Sequence, residues 1–289
     1  AQMKVNAYPI RETGGLLWVY LGSSDAPPEF PDLDFTKLTG DRVVVVSAPL
    51  PCNWVQGLEA TLDSAHVAIL HQSYLTRMSA LAQLTAESAP SYDVEPTDFG
   101  LRAYATRALP DGRKYVRLSH FVVPFIGLTA PNDPEGGHRA ALMTVPIDDT
   151  HSMQWFVRFN TEAPADAGFG VGAKDYDPDD FAPLPGGADT HWGQDRAAVR
   201  AGHFTGFTQH HLVEDMVVQA SMGPIVDRSK EFLLPSDLAV VSLRRALLTA
   251  VRDFQNGSRP KSAGPGITYG AVRSTAAVIG ADVPVKSVN

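Results

Sequence analysis

One cysteine, Cys52, is present in 289 residues. No internal disulfide can close, and this chain alone cannot assemble a thiolate-based zinc or iron–sulfur site. The fold must therefore be held by an apolar core, and any metal by His, Asp and Glu. Material for that core exists: 44% of residues are hydrophobic and 19% charged, a globular balance. The length suits one large α+β domain or two ordinary ones. Lys plus Arg number 24 against 32 Asp plus Glu, a net charge of −8, which disfavours a nucleic-acid binder. No apolar run approaches the ~20 residues of a membrane span. Ala1-Gln2-Met3-Lys4 opens without a signal-peptide core. A reducing, cytoplasmic location is expected.

Turn chemistry at Glu12-Thr13-Gly14-Gly15 predicts a hairpin, with Lys4 to Ile10 extended and Leu16 to Tyr20 a buried second strand. Residues 21–41 read as a surface connection and Val43 to Val46 as a strand. Asn53 to Leu70 reads as a helix, with Leu58, Leu62, Ala65 and Ile69 on one face and Gln56, Glu59, Asp63 and His66 on another. Gly100–Leu109, Lys114–Pro124, Arg139–Val145 and Ser152–Asn160 read as strands of an antiparallel meander, with Asp111-Gly112 turning between the first two. Residues 161–190 form a surface excursion and 193–201 a helix. Thr208 to Asp215 opens or continues another. The last helix takes Ser236 as N-cap, runs from Asp237 to Phe254 and stops at Asn256-Gly257.

Within the 53–71 segment, Asp63, His66 and His71 are spaced D-x2-H-x4-H. Imidazole nitrogen suits iron, zinc, copper or nickel, and two His plus a carboxylate from elsewhere make a facial triad with open positions. Residues five apart on a regular helix lie roughly 140° apart, so the helix must end or bulge between the two histidines. No H-E-x-x-H is present, which disfavours a zinc peptidase. Spacing alone leaves a second reading open: Asp63 and His66 as a surface i,i+3 pair, with His71 capping the helix. His210-His211 reads as a decoy, because adjacent histidines point apart on a helix. His120, His138, His151, His191 and His203 read as surface or satisfied core groups.

The run from Asn53-Trp54 to His71 resembles the mononuclear-iron signature of Rieske non-haem iron aromatic-ring-hydroxylating oxygenases, large (alpha) subunit, in their phthalate-dioxygenase-like branch: N-W-x-Q-x-x-E-x-x-x-D-S-x-H-x-x-x-x-H. Glu214 to Ser229 resembles that branch's late acidic helix and following loop. Ser236-Asp237 with Arg244 to Leu248 resembles its terminal helix. The Ala7–Glu12 and Leu17–Tyr20 pair resembles the end of its Rieske domain. The resemblance implies iron ligands His66, His71 and Asp215, with Asp63 as the aspartate linking a ligand histidine to a neighbouring subunit's Rieske histidine. Without it, Asp215 could not be chosen over Glu214 or Asp227, and neither Asn53 nor Glu59 takes a role. It further implies a helix-grip (START/SRPBCC-like) fold, a curved antiparallel sheet around a long C-terminal helix. The implied cofactor is mononuclear Fe2+. The implied activity is hydroxylation of an aromatic substrate with O2, as mono- or dioxygenase. Electrons would come from NAD(P)H through a reductase, with or without a ferredoxin, and a [2Fe-2S] Rieske cluster. A homotrimer is implied too.

The departure is the cysteine count. A Rieske cluster needs two Cys and two His, so it is expected on an N-terminal domain that this chain lacks. Residues 1–40 are then a remnant hairpin and linker, and 41–289 the catalytic domain. Phe121, Val123, Phe125, Met143, Trp155 and Phe207 are apolar pocket candidates, each of which taken singly reads more readily as ordinary core. Arg107 and Arg117 can clamp a carboxylate or lie on a solvated strand face. Two other functions compete: a helix-grip ligand-binding module without turnover, and a metal-dependent hydrolase.

Overall fold

The computed structural model describes residues 7–22, 27–75, 89–131, 137–165, 177, 179 and 183–289. Strands β1 (Ile10–Thr13) and β2 (Leu16–Val19) form the expected hairpin, displaced from the expected register. Glu12 and Thr13 pair with Leu17 and Leu16. The turn is Gly14-Gly15, both at positive φ, the backbone that a two-residue hairpin needs and that only glycine adopts freely. The other part of the expected first strand, residues 1–6, lies outside the described residues. Strand β2 is not buried as expected: Leu17 is 69% exposed, because only one face of the hairpin is covered. There Trp18 packs edge-on against Phe30 and tilted against Phe35.

Eight further strands form one antiparallel sheet. They are β3 (Val43–Leu50), β4 (Ser91–Pro96), β5 (Gly100–Ala108), β6 (Lys114–Val122), β7 (Ile126–Thr129), β8 (His138–Pro146), β9 (Ser152–Asn160) and β10 (Thr275–Ile279). The order is β3-β9-β8-β7-β6-β5-β4, so the meander from β4 to β9 follows the chain. Strand β7 takes residues 120–122 of β6, and β10 takes residues 114–118. Gly112 turns β5 into β6 at positive φ, as Asp111-Gly112 predicts. Strands β4, β7 and β10 lack a counterpart in the sequence reading. Two of them are four or five residues long, too short for alternation to be read.

Both faces of the sheet are covered, and strand parity sorts the side chains between them. One face carries Val46, Ala48, Phe156, Leu101, Ala103 and Phe121 under helices. The other carries Met143, Val157, Phe159 and Ile126 under Leu33, Phe35, Leu38 and the hairpin. The helices are α1 (Trp54–Ala60), α2 (Ala65–Leu70), α3 (Gln72–Leu75), α4 (Arg196–Arg200), α5 (His211–Ser221) and α6 (Leu238–Gln255). Helix α5 covers the β3–β9 end through Val213, Met216 and Val217. Helix α6 covers the β4–β5 end through Ala239, Leu243 and Leu247. This is the expected α+β class with a large antiparallel sheet.

Two helical expectations are corrected. The helix expected over 53–70 is two helices followed by a short third. Asn53 Oδ1 accepts the Val55 N–H to start α1. Thr61 Oγ1 donates back to the Leu58 carbonyl, and Asp63 accepts the N–H of Ala65 and His66 to start α2. Asp63 is thus a helix starter rather than part of a polar stripe, and Ile69 is 47% exposed rather than buried with Leu58 and Leu62. Ser236 does not cap α6. It lies in a 3-10 turn, Pro235–Asp237, closed by Asp237 accepting the Leu234 N–H. The expected stop holds, with Asn256 as C-cap and Gly257 at positive φ.

The break between α1 and α2 rests on the sheet. A Cβ at Gly127 in β7 would lie 2.4 Å from Thr61 Oγ1 and 2.5 Å from its Cβ. Gly127→Ala therefore has to displace Thr61. It is expected to destabilise the fold by about 1–3 kcal/mol, read as a lower urea midpoint with an unchanged denaturant slope.

Candidate metal centre

His66 is the second residue of α2, and His71 is its C-cap at φ −93°, ψ 14°, outside helical geometry. The helix ends between the two histidines, which removes the angular objection to their meeting. The rings stand edge-to-face, 5.3 Å between centroids. Asp215, from the second turn of α5, completes the group. Its Oδ1 lies 3.1 Å from His71 Nε2 and 3.4 Å from His66 Nε2. The three donor atoms all lie within 4.8 Å of one another. Spacings near 3 Å match neighbouring ligands each ~2.1 Å from a single ion.

Helix α5 is placed for this by Gln56 of α1, whose Nε2 donates to the carbonyls of Gln219 and Gly223 while its Oε1 accepts the Val226 N–H. Glu59 of α1 is gripped by Arg244 of α6 at 2.7 Å and by Arg228 at 2.9 Å. Two residues of the polar face of α1 thus tie it to the other helices. Cys52 is buried in the core beneath α5, and burial pushes its thiol up to about 12.

The nitrogens opposite the donor atoms are also engaged. His66 Nδ1 lies 3.2 Å from Asp63 Oδ2. Burial opposes ionisation of Asp63, but the His66 ring and the backbone N–H of Ala65 and His66 hold its carboxyl below the usual range. His71 Nδ1 lies 2.7 Å from Glu214 Oε2, and Thr205 Oγ1 donates to Glu214 Oε1. Burial disfavours charge on His71, yet Asp215 and Glu214 outweigh it and raise the imidazole to about 10. Asp215 is held low, against burial, by His71, His66 and His211. The cluster thus favours positive charge between its members.

The acids that the sequence left open are now separated. Asp215 faces His71 Nε2 and Glu214 faces Nδ1, while Asp227 caps the 3-10 turn Arg228–Lys230 through the Ser229 N–H. His210 and His211 do not point apart. His210 is the extended N-cap of α5, so the two rings lie 4.3 Å apart. The His211 ring stands 5.5 Å from that of His71, and burial, with His210 and His71 nearby, keeps it neutral. Glu214 was missed as a His71 partner because only its neighbour Asp215 matched the expected ligand pattern.

Arg107 and Arg117 are buried rather than solvated, on the helix-covered face of the sheet beside Phe121. Arg107 Nη1 donates to Ser64 Oγ at 3.0 Å, while Arg117 Nη2 donates to the Ala130 carbonyl at 2.9 Å. Burial, then the neighbouring Arg117, lowers Arg107 to about 10. Ser64 N–H also donates to Tyr92 Oη at 2.6 Å, so the residue between Asp63 and α2 is braced from two strands. Phe207 packs with α5, and its carbonyl accepts the Tyr74 hydroxyl. Phe125 and Trp155 pack in the cluster on the opposite face. The sheet separates these two from the histidines.

A family model described as "LigXa C-terminal domain like" matches residues 19–287. The oxygenase subunit of phthalate 4,5-dioxygenase from Pseudomonas putida is 35% identical over 302 residues, covering 98% of this chain and 67% of that protein. The oxygenase subunit of 3-chlorobenzoate-3,4-dioxygenase from Comamonas testosteroni is 31% identical, covering 94% and 68%. The chain thus spans about two thirds of the length of these relatives. Among solved structures, NdmA of Pseudomonas putida CBB5 shares the fold with a TM-score of 0.54 at 16% identity, covering 89% of this chain and 64% of that one. The chain belongs to the LigXa C-terminal-domain-like family, and with it to the catalytic domains of Rieske non-haem iron oxygenase large subunits.

Proposed function

We propose that residues 41–289 are the catalytic domain of an oxygenase that hydroxylates an aromatic carboxylate with O2, and that residues 1–40 are the hairpin and linker of its Rieske domain. The observation that carries the metal assignment is the convergence of His66, His71 and Asp215. Two neutral imidazoles and one carboxylate fit a ferrous ion, and they leave coordination positions open. When bound, ferrous iron supplies the dioxygen chemistry. The chain's own residues do the rest. His66, His71 and Asp215 hold the ion. Asp63 orients His66 through Nδ1, and its side chain, 24% exposed, is reachable from outside the subunit. That suits a link to the Rieske histidine of a neighbouring subunit in a homotrimer. Electrons then come from NAD(P)H through a reductase, and the label "oxygenase subunit" on both relatives fits such a separate supplier.

The substrate class rests on two supports. Both relatives are named for aromatic carboxylates, phthalate and 3-chlorobenzoate. Arg107 and Arg117 place two guanidinium groups on the helix-covered face, with Arg107 against Ser64, and Arg117 adds to burial in lowering Arg107. A substrate carboxylate is the group that such a pair of guanidinium groups recognises. Phe121 and Phe207, on the histidine side of the sheet, are the apolar wall candidates. Phe125 and Trp155 are left as core.

Anaerobic loading of the 289-residue chain with Fe(II) is expected to give near one ion per chain, lost in His66→Ala and in His71→Ala. A loaded sample without iron would favour a binding module, and zinc with activity in the absence of reductant would favour a hydrolase. By calorimetry, Arg107→Lys and Arg117→Ala are each expected to weaken phthalate binding by about 10–150-fold, in line with the ~1.5–3 kcal/mol of a charge-assisted hydrogen bond. Unchanged affinity in both removes the carboxylate as the recognised group.

A further inference from the structure

The carboxylate of Glu214 has no place in the ligand set, yet it is one of the most enclosed charged groups of the chain, 1% exposed. Its two oxygens are both in use. Oε1 accepts the Thr205 hydroxyl, and Oε2 lies 2.7 Å from His71 Nδ1. A buried carboxylate without compensating partners costs several kcal/mol, so this one is retained together with the ring that it meets. Asp215 is the next residue on the same helix, and it meets the other nitrogen of that ring at 3.1 Å. Consecutive helical residues diverge by about 100°, so one turn of α5 closes on both edges of a single imidazole. His66 has nothing comparable. Its Nδ1 partner, Asp63, is 3.2 Å away, partly exposed, and shared with two backbone N–H groups.

We propose that Glu214 is a positioning residue. It accepts the Nδ1 proton of His71, fixes the tautomer whose Nε2 lone pair faces Asp215, and makes His71 the rigid ligand of the site while His66 is the adjustable one. A carboxylate on the far nitrogen also raises the basicity of a ligating imidazole, and losing such a partner typically costs 10–100-fold in metal affinity. Thr205 anchors the other end: its hydroxyl also accepts the Phe207 N–H, and its carbonyl accepts the Gln194 amide. The loop before α5 therefore determines where Glu214 sits. The inference rests on the metal-site reading above.

The test is titration of the 289-residue chain with Co(II) under anaerobic conditions, followed by its visible absorption bands. Glu214→Gln keeps the shape and one acceptor oxygen but loses the charge. It is expected to bind Co(II) 10–100-fold more weakly with bands like the parent's, whereas Glu214→Ala shifts the bands as the ring loosens. Asp63→Asn is expected to lose less affinity than Glu214→Gln. Affinities within twofold of the parent for both Glu214 variants, or a larger loss in Asp63→Asn, would overturn the proposal while leaving the metal site standing. A parent chain that binds neither Co(II) nor Fe(II) would sink the metal site itself. Should the Glu214 variants fail to fold by circular dichroism, proton exchange in the Zn(II)-loaded parent decides: a His71 Nδ1 proton that exchanges more slowly than that of His66 supports the assignment, and one that exchanges as fast or faster refutes it.

Discussion

Residues 61–64 interrupt a segment whose apolar spacing would otherwise run as a single helix, and they are held from three directions. Thr61 sits in the space left by Gly127 of β7. Ser64 is bound by Tyr92 of β4 and Arg107 of β5. Asp63 turns back onto the first N–H groups of α2. With the break in place, α2 is only six residues long, and His71 falls at its end instead of on its side. A continuous helix would direct His66 and His71 about 140° apart. The meeting of His66, His71 and Asp215 thus depends on a sheet contact that involves neither histidine.

The sheet does a second sorting. Alternation along β8 and β9 sends Leu142 and Phe156 toward α5 and sends Met143, Trp155 and Val157 toward the hairpin side. Aromatic content along these strands is therefore no guide to a pocket. Phe121 and Phe125, four residues apart, end in different clusters because the chain turns between β6 and β7.

Charge is distributed unevenly around the break. Asp63, Glu214 and Asp215 gather at the two imidazoles, while Arg107 meets Ser64 from the sheet and Arg117 reaches the Ala130 carbonyl. The acids draw His71 up to about 10, and burial with Arg117 draws Arg107 down to about 10. Acids and guanidinium groups are thus segregated on either side of residues 63 and 64. Thr205 and the backbone carbonyls of Ser64 and Ala130 supply the polar contacts that make this separation tolerable inside the domain.

Much of this was legible in the order of residues. Gly14-Gly15, Asp111-Gly112 and Asn256-Gly257 mark their turns and the helix end, because positive φ is a local steric property. The long strands β5, β6, β8 and β9 follow from their apolar runs. The single cysteine restricts any metal ligands to His and carboxylates, and D-x2-H-x4-H singles out the two histidines that meet Asp215. Distance in the chain conceals the rest. Glu214 lies 143 positions from His71, so no local pattern could tell it from Asp215. Nor could spacing say that Asp63 starts a helix, that the Arg107 side chain is fully buried, or that Phe125 and Trp155 face away from the histidines. Backbone sterics and hydrogen-bond periodicity act between near neighbours and are written in the sequence. The direction of a side chain toward a remote partner exists only once the sheet, its twist and the helices packed on it are assembled.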